Sequence, residues 1–443
     1  MEQSTTLRTR RIRRQQLALL LLLTLPGSGC IAPLTPLPAP RHLGAEFDLR
    51  SPEPSAETPE VFREPEGTLT LGDALAAALR ASPVLEAFSW QVRADEARAL
   101  QAGLVPNPGL AIEGENFAGG GQFGGYGSAE TTVFLGQLVE LGGKRAARRR
   151  VALLERELSG WDYEAARLDV LTQTTQRFVA VLASKKRIEL SRELVSIAEA
   201  SLEATRNRVR AGAASSAEEA RSKVSLATLK MERARRALEL EASRRQLASS
   251  WGGTPQFTTV EGSLSALLEL PSLSEVSALL GANPDLARWA TEISQREANV
   301  ELANAGAIPD VKAGAGVRHL NETNDTALVF GVEIPLPIFD RNQGAKAAAS
   351  AEARRARANA RASRLRVQRA LIEAHANATT AYQNARSLEL DVLPQADAAY
   401  KSIHDGYRKG LFRFVDVLDA QRTLFEARSE YVNALERYHT ALP

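Results

Sequence analysis

Two carboxylates three residues apart, Asp416 and Asp419, are the pair of side chains in this sequence whose type and spacing best suit a chemical role. On a helix, residues three apart project from the same face, so these acids would form a small patch of negative charge. Such a patch attracts cations and repels anions. Acids near the start of a helix also have a purely structural role, because unpaired backbone N–H groups there favour negative charge.

Other reactive side chains offer little for catalysis. No Ser–His–Asp arrangement and no phosphate-binding glycine motif occurs where a strand would lead into a helix. The five histidines are scattered, without the short spacing of a metal site, and they are His42, His319, His375, His404 and His439. We therefore predict no catalytic residue, no metal site, no cofactor and no enzymatic activity.

Residues 1–29 have the form of a secretory signal peptide. Five arginines precede an apolar run over residues 17–25, which is too short to span a bilayer as a helix. These arginines and Glu2 together contribute +4, so the formal charge of +2 for the whole chain becomes about −2 once the segment is removed. A mature chain with this charge is not expected to bind nucleic acid.

Cys30 is the single cysteine and directly follows Ser28 and Gly29. This is the position of the lipid-modified first residue of an exported bacterial lipoprotein, so we predict lipidation at Cys30. The alternative is cleavage nearby that leaves a free thiol. A single cysteine excludes disulfides within the chain. Residues 30–68 are rich in proline and are predicted to form an extended N-terminal arm.

Beyond the arm, the same pattern of elements occurs twice, which predicts a first structural repeat over residues 69–256 and a second over residues 272–443. Pro83 and Pro284 mark corresponding helix starts and are 201 residues apart. In each repeat a short helix is followed by a strand, a loop, a second strand, a tight turn and a very long helix. Each repeat thus joins helices to a pair of strands.

Four segments alternate along the chain with a period of two, as expected of strands with one apolar face. An example is the series Leu328, Phe330, Val332 and Ile334. Each segment has about 9 to 11 residues, enough for a tilted strand to cross a bilayer. Four strands cannot enclose a pore, and open edges in lipid would leave backbone groups unpaired. Several copies must therefore contribute, and three copies would supply 12 strands.

The long helical runs, residues 144–210 and 344–409, would each extend about 100 Å. They end at Gly212 and Gly410, which are 198 residues apart. The helices that precede and follow each long run together have nearly its length. We therefore predict that they stack end to end and form its antiparallel partner.

Apolar residues with seven-residue spacing support such side-by-side packing. The last helix carries Val417, Leu424, Tyr431 and Tyr438 at this spacing. Pro394 lies inside the second long run and predicts a kink there.

Strand pairs that alternate with such long helical hairpins, twice in one chain, resemble the TolC family of outer-membrane efflux proteins over residues 69–441. The segments VLPQA at 392–396, YRKG at 407–410 and FVDVLDAQ at 414–421 are similar to the signature of the family's second repeat. The turn IPLPIFDRNQG at 334–344 resembles the heavy-metal (CzcC/CusC-like) branch of this family.

The resemblance implies a mainly α fold with membrane β structure. This is a TolC-like trimer with a 12-stranded outer-membrane β-barrel, four strands per protomer, continuous with a 12-helix periplasmic α-barrel. The implied function is that of a passive export duct for small solutes in a tripartite efflux system. A periplasmic adaptor would dock the duct onto an inner-membrane RND-type pump, which supplies the energy. The branch favours divalent heavy-metal cations. Open alternatives are a duct for drugs or type I secretion, and a periplasmic adaptor or structural coiled-coil protein.

The resemblance also assigns roles to residues. Asp416 and Asp419 would form a ring that gates the periplasmic mouth of the pore. Glu218 is the first-repeat counterpart of Asp416, whereas Arg221 replaces Asp419 there, so the ring would depend mainly on the second repeat. The hairpin tips expected to contact the adaptor contain Arg210, Gly212, Ser215, Gly410 and Arg413.

Overall fold

The computed structural model describes residues 62–442, so the predicted signal peptide, Cys30, His42 and most of the arm lie outside the described part. The helices are α1 Leu71–Ala81, α2 Pro83–Ala102, α3 Lys144–Arg210, α4 Ser216–Ala248, α5 Leu273–Ala278, α6 Pro284–Ala305, α7 Gln343–Ser387, α8 Leu393–Arg408 and α9 Phe414–Ala441. The strands are β1 Gly67–Leu69, β2 Gly109–Glu115, β3 Glu130–Val139, β4 Phe257–Val260, β5 Val311–Leu320 and β6 Asp325–Glu333. Within residues 62–442, no helix is long and apolar enough to cross a membrane.

The long helices form two rods with antiparallel partners. Helix α3 has 67 residues and therefore extends about 100 Å, with the bounds that the sequence predicted. Helices α2 and α4 both pack along α3, while α6 packs along α7 and α9 packs along α7 and α8. The predicted end-to-end partners are thus confirmed in both repeats.

The second rod is interrupted where the sequence predicted a kink. Helix α7 ends at Ser387, a π-helical turn covers Leu388–Val392, and α8 begins at Leu393. Pro394 has no backbone N–H, and its ring would collide with the carbonyl of Leu390 in a regular α-helix. A wider turn at this point accommodates the proline.

The four longer strands form one antiparallel sheet in the order β2-β3-β5-β6. Val133 pairs with Ile112 on one side and with Val317 on the other, so the alternating residues of neighbouring strands share a face. Strand β2 has seven residues, fewer than expected. The β5–β6 connection covers only residues 321–324. In the described chain, β2 and β6 each pair on one side only.

A second, two-stranded sheet was not predicted. Strand β1 pairs in parallel with β4 and so joins the end of the arm to the segment between the repeats. Leu69, Phe178 and Trp251 are buried together there, about midway along α3. This cluster fixes α1 and the end of α4 against the rod.

The helices follow the same lateral order as the strands. Helix α3 of the first repeat contacts both α6 and α9 of the second. One side of the chain therefore consists of β2 with α2 and α4, and the opposite side consists of β6 with α7 and α8.

Candidate functional site at the hairpin tips

The two hairpin tips contain the same backbone turn. At the end of α3, the N–H of Gly212 donates to the carbonyl of Val209 at 3.0 Å, and the N–H of Ala213 donates to the carbonyl of Arg208 at 2.8 Å. The same pair of bonds recurs at Gly410. Gly212 and Gly410 have φ angles of +70° and +82°, which glycine adopts without the steric cost of a side chain.

Asp416 lies in the first turn of α9 and caps it. Its Oδ2 accepts the backbone N–H of Arg413 at 2.9 Å, and its Oδ1 lies 3.4 Å from the Arg413 guanidinium. The bond from this N–H holds the pKa of Asp416 below its usual range. The structural role considered from the sequence is therefore present, and the carboxylate stays ionised at neutral pH.

Asp419 lies on the same side of α9 and is more exposed. Its carboxylate is 3.0 Å from the Arg422 guanidinium, at the protein surface. Asp416 and Asp419 together border a groove of about 530 Å³ between α8 and α9. The other lining residues are Ala396, Ala399, Ile403, Phe412, Ala420 and Thr423. The fold thus brings the two acids to one rim of a largely apolar groove.

The remaining predicted site residues are divided between the two tips. Glu218 lies in the first turn of α4, where its N–H donates to the Ser215 hydroxyl oxygen at 3.3 Å. It is not among the residues that line the groove of Asp416 and Asp419. Arg210 bonds the side chain of Asn207 at 2.9 Å within its own helix. Arg210, Gly212, Ser215, Gly410 and Arg413 are all exposed.

A contact between the tips was missed by sequence reasoning. The Arg208 guanidinium donates to the carbonyl of Tyr407 at 2.5 Å and stacks 4.3 Å from the centre of the Tyr407 ring. Tyr407 is itself buried against Phe414 and Val417. Arg208 therefore links the end of α3 to the end of α8. No spacing rule signals this pair, because its members belong to different repeats.

The two faces of the four-stranded sheet differ in polarity. One face carries apolar residues that are well exposed in the single chain: Leu110, Ile112, Leu135, Leu328, Phe330 and Val332. On the opposite face, Arg318 forms ion pairs with Glu130 at 2.9 Å and with Glu115 at 3.2 Å. An apolar face suits contact with lipid, and the charged face suits contact with water.

The described residues contain no group of three or more His, Cys, Asp or Glu side chains that could hold a metal ion. His375 and His439 instead lie within hydrogen-bond distance of the backbone carbonyls of Pro271, at 3.0 Å, and Leu264, at 2.7 Å. These two side chains help to hold the segment between the repeats against α7 and α9.

Two long hairpins attached to a sheet with one apolar and one charged face define a channel subunit of the TolC-like fold. The chain belongs to the outer membrane efflux protein family, whose model matches residues 74–253 and 276–442. The predicted outer-membrane location and transport class are thereby confirmed.

Two relatives align with nearly the whole chain, and the first of them supports the predicted heavy-metal branch. The chain is 32% identical to the cobalt-zinc-cadmium resistance protein CzcC of Cupriavidus metallidurans over 401 residues, which cover 90% of this chain and 94% of the relative. It is 24% identical to the pyoverdine export outer membrane protein OpmQ of Pseudomonas putida, over 92% of this chain and 94% of the relative.

Solved structures agree on the fold. A structure of CusC matches with a TM-score of 0.72 at 14% identity and covers 90% of this chain and 96% of CusC. A membrane protein from Pseudomonas aeruginosa matches with a TM-score of 0.70 at 20% identity, over 84% of this chain and 91% of that protein. The predicted TolC-like fold is confirmed.

Proposed function

We propose that three copies of this chain form an outer-membrane channel that exports divalent heavy-metal cations passively. The observation that carries the proposal is the sheet: its exposed apolar face suits lipid, yet within residues 62–442 β2 and β6 each have a partner on one side only. Unpaired backbone groups in hydrocarbon cost several kcal/mol each. Neighbouring copies remove this cost if β6 of one copy pairs with β2 of the next.

The helices support the same assembly. Helix α4, on the β2 side, carries Val224, Met231 and Leu238, which are 65%, 67% and 73% exposed. Helix α7, on the β6 side, carries Leu365 and Ile372, which are 60% and 54% exposed. Both series have the seven-residue spacing of a helix-packing seam. A ring of copies would cover these seams at the same boundaries that complete the sheet.

The cargo is proposed from the relatives and from the charge at the tips. The name of CzcC assigns that protein to cobalt, zinc and cadmium resistance. In a threefold assembly, Asp416 and Asp419 would place six carboxylates around the entrance, where they would favour cations and exclude anions. Export would then be driven by an RND-type pump in the inner membrane, joined by a periplasmic adaptor that contacts the tips at Arg210, Gly212, Ser215, Gly410 and Arg413.

The gate is tested by the double substitution Asp416→Ala with Asp419→Ala in planar bilayers. We expect higher single-channel conductance and weaker cation preference, because the substitutions remove both charge and bulk from the entrance. A matched control is Glu426→Ala with Glu430→Ala, two acids further along the same helix. If the double substitution at 416 and 419 leaves conductance and selectivity as in the control, the acidic gate is wrong.

The cargo is tested in a strain that lacks the gene. Growth should become sensitive to cobalt, zinc or cadmium, and the intact gene should restore resistance. The similarity to OpmQ makes siderophore export the second candidate. A strain with unchanged metal resistance and reduced siderophore secretion would favour this second candidate.

A further inference from the structure

A contact at the end of the four-stranded sheet that adjoins the helices joins the two repeats within one chain. Residues 140–143 connect β3 to α3, and residues 306–310 connect α6 to β5. The backbone N–H of Leu141 donates to Oδ1 of Asp310 at 3.0 Å, and the Lys144 ammonium lies 2.7 Å from the same oxygen. The Lys144 and Asp310 side chains are only 15% and 24% exposed. This contact lies where β3 and β5, which are neighbours in the sheet, meet their helices.

The corresponding segments are the one that precedes β2 and the one that follows β6, and they lie at opposite edges of the chain. Pro106 precedes β2 as Pro309 precedes β5, which makes Asn107 the counterpart of Asp310. Helix α7 begins after Asn342 with a φ angle of +60°, as α3 begins after Gly143 with a φ angle of +74°. Gln343 is therefore the counterpart of Lys144.

The turn before α7 is also longer and more apolar than its counterpart. Residues 334–342 separate β6 from α7, whereas residues 140–143 separate β3 from α3. The longer turn carries Leu336, Ile338 and Phe339, which are 73%, 58% and 89% exposed. The segment before β2 is apolar and exposed as well, with Leu104 at 49% and Val105 at 55%.

We propose that residues 334–343 of one copy dock on residues 103–108 of the next copy. This inference rests on the proposed trimer, because antiparallel pairing of β6 with the next β2 places the end of β6 beside the start of β2. Asn107 and Gln343 then meet as an amide pair, in the place that Asp310 and Lys144 occupy inside the chain. Within its own turn the Gln343 amide accepts the N–H of Arg341 at 2.8 Å and donates to the carbonyl of Phe339 at 3.2 Å. Its second N–H and second lone pair remain for Asn107. The apolar turn covers Leu104 and Val105 of the neighbouring copy.

The partner is thus a second copy of this chain rather than lipid. The contact inside the chain shows that the segment after a strand can be held by the segment before its antiparallel neighbour. The amide pair is uncharged, so the pair itself brings no isolated charge into the contact. Phe339 supplies the largest exposed apolar surface of the turn and should anchor the contact.

Cross-linking tests this contact in the full-length protein. The double variant Asn107→Cys with Gln343→Cys, treated with a short bifunctional maleimide, should give covalent dimers and trimers on a denaturing gel. Each single variant should remain monomeric, and both retain Cys30. The control Lys144→Cys with Asp310→Cys should cross-link only within one chain and give no larger species.

Two results would overturn the inference in distinguishable ways. Trimers detected by light scattering, without cross-linking of the double variant, would mean that the turn faces lipid while the proposed assembly stands. A protein that is monomeric in detergent before any cross-linking would reject the proposed trimer and this contact together.

Charge exchange gives a second test. Asn107→Asp with Gln343→Lys recreates the ion pair between copies and should raise the temperature at which the trimer dissociates in detergent above that of the unmodified protein. Neither single substitution should do so. If the change in dissociation temperature of the double variant equals the sum of the changes in the two single variants, the two residues are not coupled, which would contradict the contact.

Discussion

Replacing Arg208 with alanine should loosen the two hairpin tips of a protomer from each other. The Arg208 side chain extends from the end of α3 and contacts both the backbone carbonyl and the ring of Tyr407 at the end of α8. Alanine removes both contacts, and it also removes the bond from this guanidinium to the carbonyl of Ala213 in its own tip, at 3.2 Å. Gly212 and Gly410 would still form their turns, because those turns depend on backbone bonds.

The size of the effect follows from the two contacts. A hydrogen bond from a charged group contributes about 1.5–3 kcal/mol, and a cation–π contact contributes about 0.5–2 kcal/mol. Arg208 is partly exposed, which reduces both contributions. A total of about 2 kcal/mol would change the equilibrium between joined and separated tips roughly 30-fold.

The assay is the open probability of single channels in planar bilayers. If separation of the tips opens the periplasmic entrance, Arg208→Ala should increase the population of a rarely occupied open state roughly 30-fold. Arg210→Ala is a matched control, because Arg210 bonds only Asn207 of its own helix among the contacts seen at this tip. Equal open probabilities for the two variants would refute the reasoning.

Two further predictions concern stability and pH. The buried Tyr438 hydroxyl donates to the carbonyl of Leu268 at 2.6 Å and accepts its N–H at 3.1 Å, so Tyr438→Phe should lower the free energy of unfolding by about 1–3 kcal/mol. In denaturant unfolding, Tyr382→Phe should lower the free energy of unfolding much less, because the hydrogen bond of the Tyr382 hydroxyl is exposed. Equal losses of stability in the two variants would contradict this prediction. The pKa of Asp416 is lowered from 3.8, so its negative charge is lost only as the pH falls through that lowered value. Reversal potentials should therefore show the same contribution of Asp416 to cation preference, judged against Asp416→Ala, at pH 7 and at about pH 5; its disappearance over that interval would contradict the assignment.

Helix bounds were the most predictable part of the fold, because glycine and proline end helices for local reasons. Gly212 and Gly410 marked the tips correctly, and Pro394 marked the irregular turn. The stripe on α9 was also correct, since Val417, Leu424 and Tyr438 are buried. Strand β1 could not be predicted, because three residues carry too little periodicity and its partner β4 lies far along the chain.

The site was predictable only where it depended on local spacing. Asp416 and Asp419 share a groove because three residues on a helix bring side chains to one side. The link between Arg208 and Tyr407 depends instead on how two separate helices end beside each other. Sequence periodicity specifies the face of one helix, but it does not specify which side chain of another helix lies opposite.

The number of copies in the membrane-extracted particle tests the central claim most directly. Native mass spectrometry of the protein, purified in detergent from an outer-membrane fraction, should give a particle of three chains, since neighbouring copies would pair the sides of β2 and β6 that have no partner strand within the described residues. A single chain recovered from the water-soluble fraction would contradict the account.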